Sequence, residues 1–100
     1  MSGTDLGWLW RVLAKRQSAD PEESYTARLL AAGPDRVAQK VGEEAVETVI
    51  AALRVGEDSG RQELVGEAAD LVYHLLVLLL ASGVSLEDVT AELEKRHRES

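Results

Sequence analysis

Apolar residues recur along this chain at intervals of three and four, and no stretch alternates apolar and polar as a half-buried strand would. The pattern predicts an all-α protein. Thr4 or Asp5 can cap a first helix running to about Gln17, with Leu6, Leu9, Trp10 and Leu13 on its apolar side. Ser18-Ala19-Asp20-Pro21 breaks it, because proline and the residue before it both disfavour helical backbone. A short second helix is expected from near Ser24 to Ala32, packing through Tyr25, Leu29 and Leu30. Gly33-Pro34 closes it and opens a third helix from about Asp35 to Val55, since glycine suits a C-terminal cap and proline a first turn. Residues 56–60 read as a loop, and a fourth helix spans about Arg61 to Ser82, stopping at Gly83. Ser85-Leu86-Glu87-Asp88 has the form of a capping box for a last helix reaching toward Arg98.

The short loop between the third and fourth helices predicts an antiparallel hairpin. At about 100° per residue, the third helix should place Val37, Val41, Ala45, Val49, Ala52 and Leu53 on one broad side. Lys40, Glu43, Glu44 and Glu47 then fall on the other, which taken alone reads as a solvated face. The fourth helix is different. Glu63, Glu67, Asp70 and His74 form one narrow stripe on a helix that is otherwise apolar nearly all round, with Leu71, Leu75, Val77 and Leu78 among its flanks. Such a helix is expected in a core, where uncompensated carboxylates cost several kcal/mol each.

Composition narrows the setting. One hundred residues with 45% apolar content suffice for one core, so a single domain over 1–100 is expected. Five helices of this character offer more apolar surface than one thin bundle can cover, which points to a homodimer or higher homo-oligomer. A net charge of −7 argues against nucleic acid and against an anionic membrane surface as partners. The longest uncharged apolar run, Leu71 to Ala81, is far shorter than the roughly 20 residues of a membrane span. Cysteine is absent, which removes disulfides and thiolate metal sites and fits a cytoplasmic location. The first five residues lack the basic segment and apolar run of a secretory signal.

Clustered carboxylates repel, and one would take up a proton unless cations compensate; Lys40 can neutralise one charge, not four. Hard divalent cations resolve this. Magnesium prefers oxygen ligands, keeps several waters and is commonly completed by substrate phosphates. Two pairs one helical turn apart, Glu44 with Glu47 and Glu67 with Asp70, could hold such an ion between two helices. A di-iron carboxylate bundle would also use facing glutamates, but its E-x-x-H pair fails, because Leu71 stands three before His74. A purely structural helical dimer, with solvated or salt-bridged acids, is the remaining alternative.

The pairing of E-x-x-E on one helix with E-x-x-D on the next resembles the all-α nucleoside triphosphate pyrophosphohydrolases, which include MazG-type and dimeric dUTPase enzymes. Ser24-Tyr25-Thr26-Ala27-Arg28-Leu29-Leu30, the string Lys40 to Glu47, and Glu67 to His74 resemble, more narrowly, the phosphoribosyl-ATP pyrophosphohydrolase family of histidine biosynthesis. The resemblance runs from about Leu6 to His97. It implies a magnesium-dependent hydrolase that cuts between the α and β phosphates of phosphoribosyl-ATP, giving phosphoribosyl-AMP and pyrophosphate, with attack at either phosphorus left open. Carried over by motif position, Glu44, Glu47, Glu67 and Asp70 are the implied metal ligands. Glu43 is an extra ligand or water-orienting base, so that Glu43, Glu44 and Glu47 form the implied catalytic set.

Around them, Lys40 is a candidate phosphate contact or a local counter-charge, and Arg28 a candidate phosphate contact or an ordinary surface arginine. Tyr25 and Thr26 are candidate pocket residues. His74 either bonds a carboxylate, touches substrate or is a satisfied core histidine. Arg96-His97-Arg98 complements the last helix's dipole, and Trp8 and Trp10 are expected in a core or interface. A housecleaning nucleotide pyrophosphatase is the nearest rival within the same chemistry. Nothing upstream of Leu6 is long enough for the phosphoribosyl-AMP cyclohydrolase that is often fused to this family, so a monofunctional chain is expected.

Overall fold

A computed structural model describes residues 5–98. Five α-helices follow one another: α1 Gly7–Lys15, α2 Tyr25–Ala32, α3 Pro34–Leu53, α4 Gly60–Ala81 and α5 Leu86–His97, with a 3-10 turn over Arg16–Ser18 after α1. The expected start and stop signals do the work assigned to them. Asp5 accepts the Gly7 N–H at 2.7 Å from one position before the N-cap of α1, which is Leu6 and makes no side-chain cap bond; Ser24 caps α2 by accepting the Ala27 N–H at 3.1 Å, and Pro34 occupies the first turn of α3. Gly33 takes φ +97° between α2 and α3, a conformation that favours glycine. Ser85 and Asp88 exchange both bonds of a capping box, at 3.0 and 3.2 Å. Thr4, the other capping candidate, lies outside the described residues.

The α3–α4 hairpin is the frame, and α1 and α2 pack on it. The turn that makes the hairpin is sterically exacting. Ser59 adopts φ +63°, and a Cβ added at Gly60 would collide with the carbonyl oxygens of Arg54 and Val55. Leu13 from α1, Leu29 from α2, Val37 from α3, and Leu76 and Val77 from α4 form the buried cluster, with Leu9, Trp10, Tyr73 and Leu86 packed around it. Full burial of a side chain such as Val37 or Leu76 is worth about 1.5–3 kcal/mol.

Two expectations are corrected. On α3 the inward face is rotated by roughly a quarter turn from the projected one: Val37, Glu44 and Ala51 are buried, while Val49, Ala52 and Leu53 are exposed. Glu44 is therefore not on a solvated face. Tyr25 is 45% exposed, so α2 packs instead through Thr26, Ala27 and Leu29. Trp10 packs against the core cluster, and Trp8 is half-exposed in the single chain.

α4 is also long and apolar enough to cross a membrane by length and composition, which the short uncharged run did not suggest. It packs against α3, carries ionisable residues along its length and buries His74, Leu76 and Val77. Much of it nevertheless stays uncovered, including Val65 and Leu75. α5 buries no residue, and the Cα radius of gyration, 15.1 Å, exceeds the roughly 13 Å of a compact 100-residue domain. The single chain is open along the outer face of its hairpin.

Candidate active site

The α3–α4 seam brings three carboxylates together. One oxygen each from Glu44, Glu67 and Asp70 lie within 4.8 Å of one another, with Glu44 buried, Glu67 half-buried and Asp70 exposed. The antiparallel pairing explains the convergence. Glu44 sits mid-way along α3 beside His74, and Glu47, one turn later, meets Glu67, two turns earlier on α4. Glu44 Oε2 is buried without a hydrogen-bond partner. Such an orphan is costly inside a protein and calls for a proton or a cation.

The electrostatics agree. Burial, then the neighbouring Glu47 and Asp70, raise the Glu44 pKa above the ordinary carboxylate range, with His74 pulling weakly the other way. Glu67 is raised by desolvation first and by Glu47, Glu44 and Asp70 after it. Four acids thus compete for the same small volume. All-oxygen donors of this kind suit a hard divalent ion, so Glu44, Glu67 and Asp70 could hold a metal.

Beside the cluster opens a cavity of about 400 Å³, lined by Glu47, Ile50, Ala51, Arg54, Glu63, Gly66, Glu67 and Asp70. Glu63, at the end of the α4 stripe, is exposed but belongs to this wall. Arg54 was not anticipated as part of the site. Its signal was available, since it stands seven residues after Glu47 and so on the same helical face. It bonds Glu57 through Nε and Nη2, at 3.1 and 3.0 Å, and its pKa is raised by Glu57 and then Glu63.

Other candidates lie elsewhere. Glu43 is exposed, accepts from the Gln39 amide at 3.2 Å and pairs with Lys40 at 3.8 Å, so these two engage each other rather than the three-carboxylate group. Arg28 donates to the Pro21 carbonyl at 2.9 Å and lies over the Tyr25 ring, 5.7 Å from its centroid. Tyr25 and Thr26 reach α4 in consecutive register. The Tyr25 hydroxyl meets His74 Nε2 at 3.2 Å, and the buried Thr26 hydroxyl bonds that of Tyr73, which belongs to the Glu67 to His74 motif but was given no site role there. Burial raises the Tyr73 pKa, opposed by its bond to Thr26. His74 is buried, with Nδ1 2.8 Å from the Asp70 carbonyl and 3.8 Å from Glu44 Oε1.

Similarity to known proteins joins this geometry to a family. The phosphoribosyl-ATP pyrophosphohydrolase family model matches residues 6–97. The chain is 52% identical over 100 residues to the phosphoribosyl-ATP pyrophosphatase of Methylobacterium nodulans, covering 100% of this chain and 90% of that one. It is 62% identical over 84 residues to the phosphoribosyl-ATP pyrophosphatase of Erythrobacter litoralis, covering 84% and 77%. The histidine biosynthesis bifunctional protein HisIE of Escherichia coli is 56% identical over 90 residues, 90% of this chain but 42% of that longer protein. A match of this length and identity, laid over helices that meet at a carboxylate cluster, places the chain in the phosphoribosyl-ATP pyrophosphohydrolase family.

Proposed function

We infer that this chain hydrolyses phosphoribosyl-ATP to phosphoribosyl-AMP and pyrophosphate in histidine biosynthesis, using Mg²⁺ held by Glu44, Glu67 and Asp70, with Glu47 beside them. The observation that carries the metal reading is the buried, unpartnered Oε2 of Glu44, a residue whose carboxylate belongs to the acidic group. The donor set fits the ion, because oxygens within 4.8 Å of one another approach the roughly 3–4 Å spacing of ligands around one octahedral magnesium. Bound there, the ion supplies charge neutralisation for the phosphate chain and for the departing pyrophosphate.

The chain's own residues do the rest. A water oxygen bonds to phosphorus, the α–β anhydride bond breaks, and pyrophosphate leaves with the bond's electron pair. Glu47, implied by the resemblance as a further metal ligand, lines the cavity outside the three-oxygen group, which supports it as the base that takes the water's proton. Arg54, at the cavity wall, is the cation within reach of a phosphate entering there. Lys40, Glu43 and Arg28 serve local structure in this reading.

The working unit is a homodimer in the cytoplasm. Val46, Val49, Ile50 and Leu53 are 50–82% exposed and fall at spacings of three and four on the α3 face opposite Glu44. Val65 and Leu75 of α4 are exposed as well. A second copy seated on this stripe completes a four-helix-type core, and because Ile50 also lines the cavity, that copy walls the site.

Incubation with phosphoribosyl-ATP and Mg²⁺, beside ATP and dUTP, tests the assignment by pyrophosphate release. Release from phosphoribosyl-ATP alone, abolished by a chelator, is expected. Turnover of the free nucleotides without phosphoribosyl-ATP would replace it with a housecleaning activity.

A further inference from the structure

The Tyr25–His74 contact reaches the acidic cluster from behind. A carbonyl oxygen can only accept, so His74 Nδ1 carries the hydrogen and donates to the Asp70 carbonyl at 2.8 Å. In the neutral ring Nε2 is then an acceptor, and the Tyr25 hydroxyl donates to it at 3.2 Å. The same Nδ1 edge stands 3.8 Å from Glu44 Oε1, whose sister oxygen is the unpartnered Oε2. The imidazole, 5% exposed, is walled by the Tyr73 ring edge-on at 4.9 Å and the Tyr25 ring at 6.1 Å. One residue along, the Thr26 and Tyr73 hydroxyls bond to each other, so α2 grips α4 at two successive positions.

We propose that Tyr25 and His74 are positioning residues for the metal site, Tyr25 fixing the His74 ring, and the ring, tied to the Asp70 carbonyl and packed 3.8 Å from Glu44 Oε1, setting the rotamer from which the Glu44 carboxylate meets the ion. This assigns the Ser24-Tyr25-Thr26 segment to shaping a ligand rather than to touching substrate. It rests on the reading of Glu44, Glu67 and Asp70 as metal ligands. Outer partners that orient a ligand commonly change metal affinity by 10–100-fold when removed.

The test measures Mn²⁺ binding without substrate, by calorimetry and by the electron paramagnetic resonance spectrum of the bound ion, alongside thermal melting of the metal-free protein. Tyr25→Phe removes only the donor and should weaken Mn²⁺ roughly tenfold with little change in melting. His74→Leu should weaken it more, and His74→Asn, whose amide nitrogen occupies the Nδ1 position, should recover much of the loss. Unchanged Mn²⁺ affinity and spectrum in Tyr25→Phe, together with a raised KM for phosphoribosyl-ATP, would overturn the proposal and make Tyr25 a substrate contact. Lowered melting in His74→Leu with unaltered Mn²⁺ affinity would reduce His74 to packing. If the unsubstituted chain binds no Mn²⁺, the metal reading falls and the positioning proposal falls with it.

Discussion

The two faces of α3 reverse the usual arrangement of a surface helix. The inward face carries a buried glutamate, Glu44, between Val37 and Ala51, while the outward face carries Val46, Val49, Ile50 and Leu53 in the open. An isolated monomer gains nothing from either choice. Burying Glu44 costs desolvation, and exposing four large aliphatic side chains forgoes about 25 cal/mol for each Å² they could hide. The difference is intelligible if each face answers to something outside the monomer: a cation on the inner side, a second copy on the outer.

The sharpest way to break this contrast is on the inner face. If Glu44 holds the ion as proposed, Glu44→Gln should lower kcat by on the order of 10³-fold, because a lost ligand forfeits several kcal/mol of charge stabilisation, while melting of the metal-free protein stays level or rises as the buried charge disappears. Retained activity would show that the cluster is structural.

On the outer face, Val49→Glu should convert a dimer to a monomer at micromolar concentration, read by size-exclusion with light scattering. A native protein that is already monomeric would leave the exposed stripe without its occupant. Between the faces, Gly60→Ala should cost roughly 1–3 kcal/mol in urea unfolding, as the added methyl meets the Arg54 and Val55 carbonyls and the hairpin must shift.

A gentler probe is pH. Glu44 and Glu67 have pKa values raised above 4.5 in the folded chain, so the metal-free fold is favoured below that value and loses that share of stability as pH climbs through the raised values. On the proposed metal site, Mg²⁺ should restore the loss by binding the ionised acids; melting curves from pH 4 to 8 with and without the ion would check both signs. The smallest change is expected from Glu43→Gln. Its partners are Gln39 and Lys40 at the surface, so stability should move by no more than about 0.5 kcal/mol, with kcat little altered. A large fall in kcat would return Glu43 to the catalytic set.

Helix boundaries were legible because their signals are local: Ser24, Gly33-Pro34 and the Ser85 to Asp88 box each act within one turn of backbone. The α4 stripe was legible for a related reason. Glu67, Asp70 and His74 share a face by helical geometry alone, and their apolar surroundings made the acids conspicuous. On α3 the same projection misled. A helix with apolar residues for two different contacts has a mean apolar direction that points at neither, and the tilt toward α4 that buries Glu44 comes from packing.

The sequence by itself determined five helices, an antiparallel hairpin and the family, because caps, periodicity and motif spacing are properties of neighbouring residues. Only the tertiary structure decided which glutamates converge. It set Glu44 with Glu67 and Asp70, turned Glu43 toward Lys40, added Arg54 to the cavity wall, and joined Tyr25 to His74 across 49 positions of chain. Those choices depend on the rotation and register of α3 and α2 against α4, which are fixed by interhelical packing that no single helix encodes.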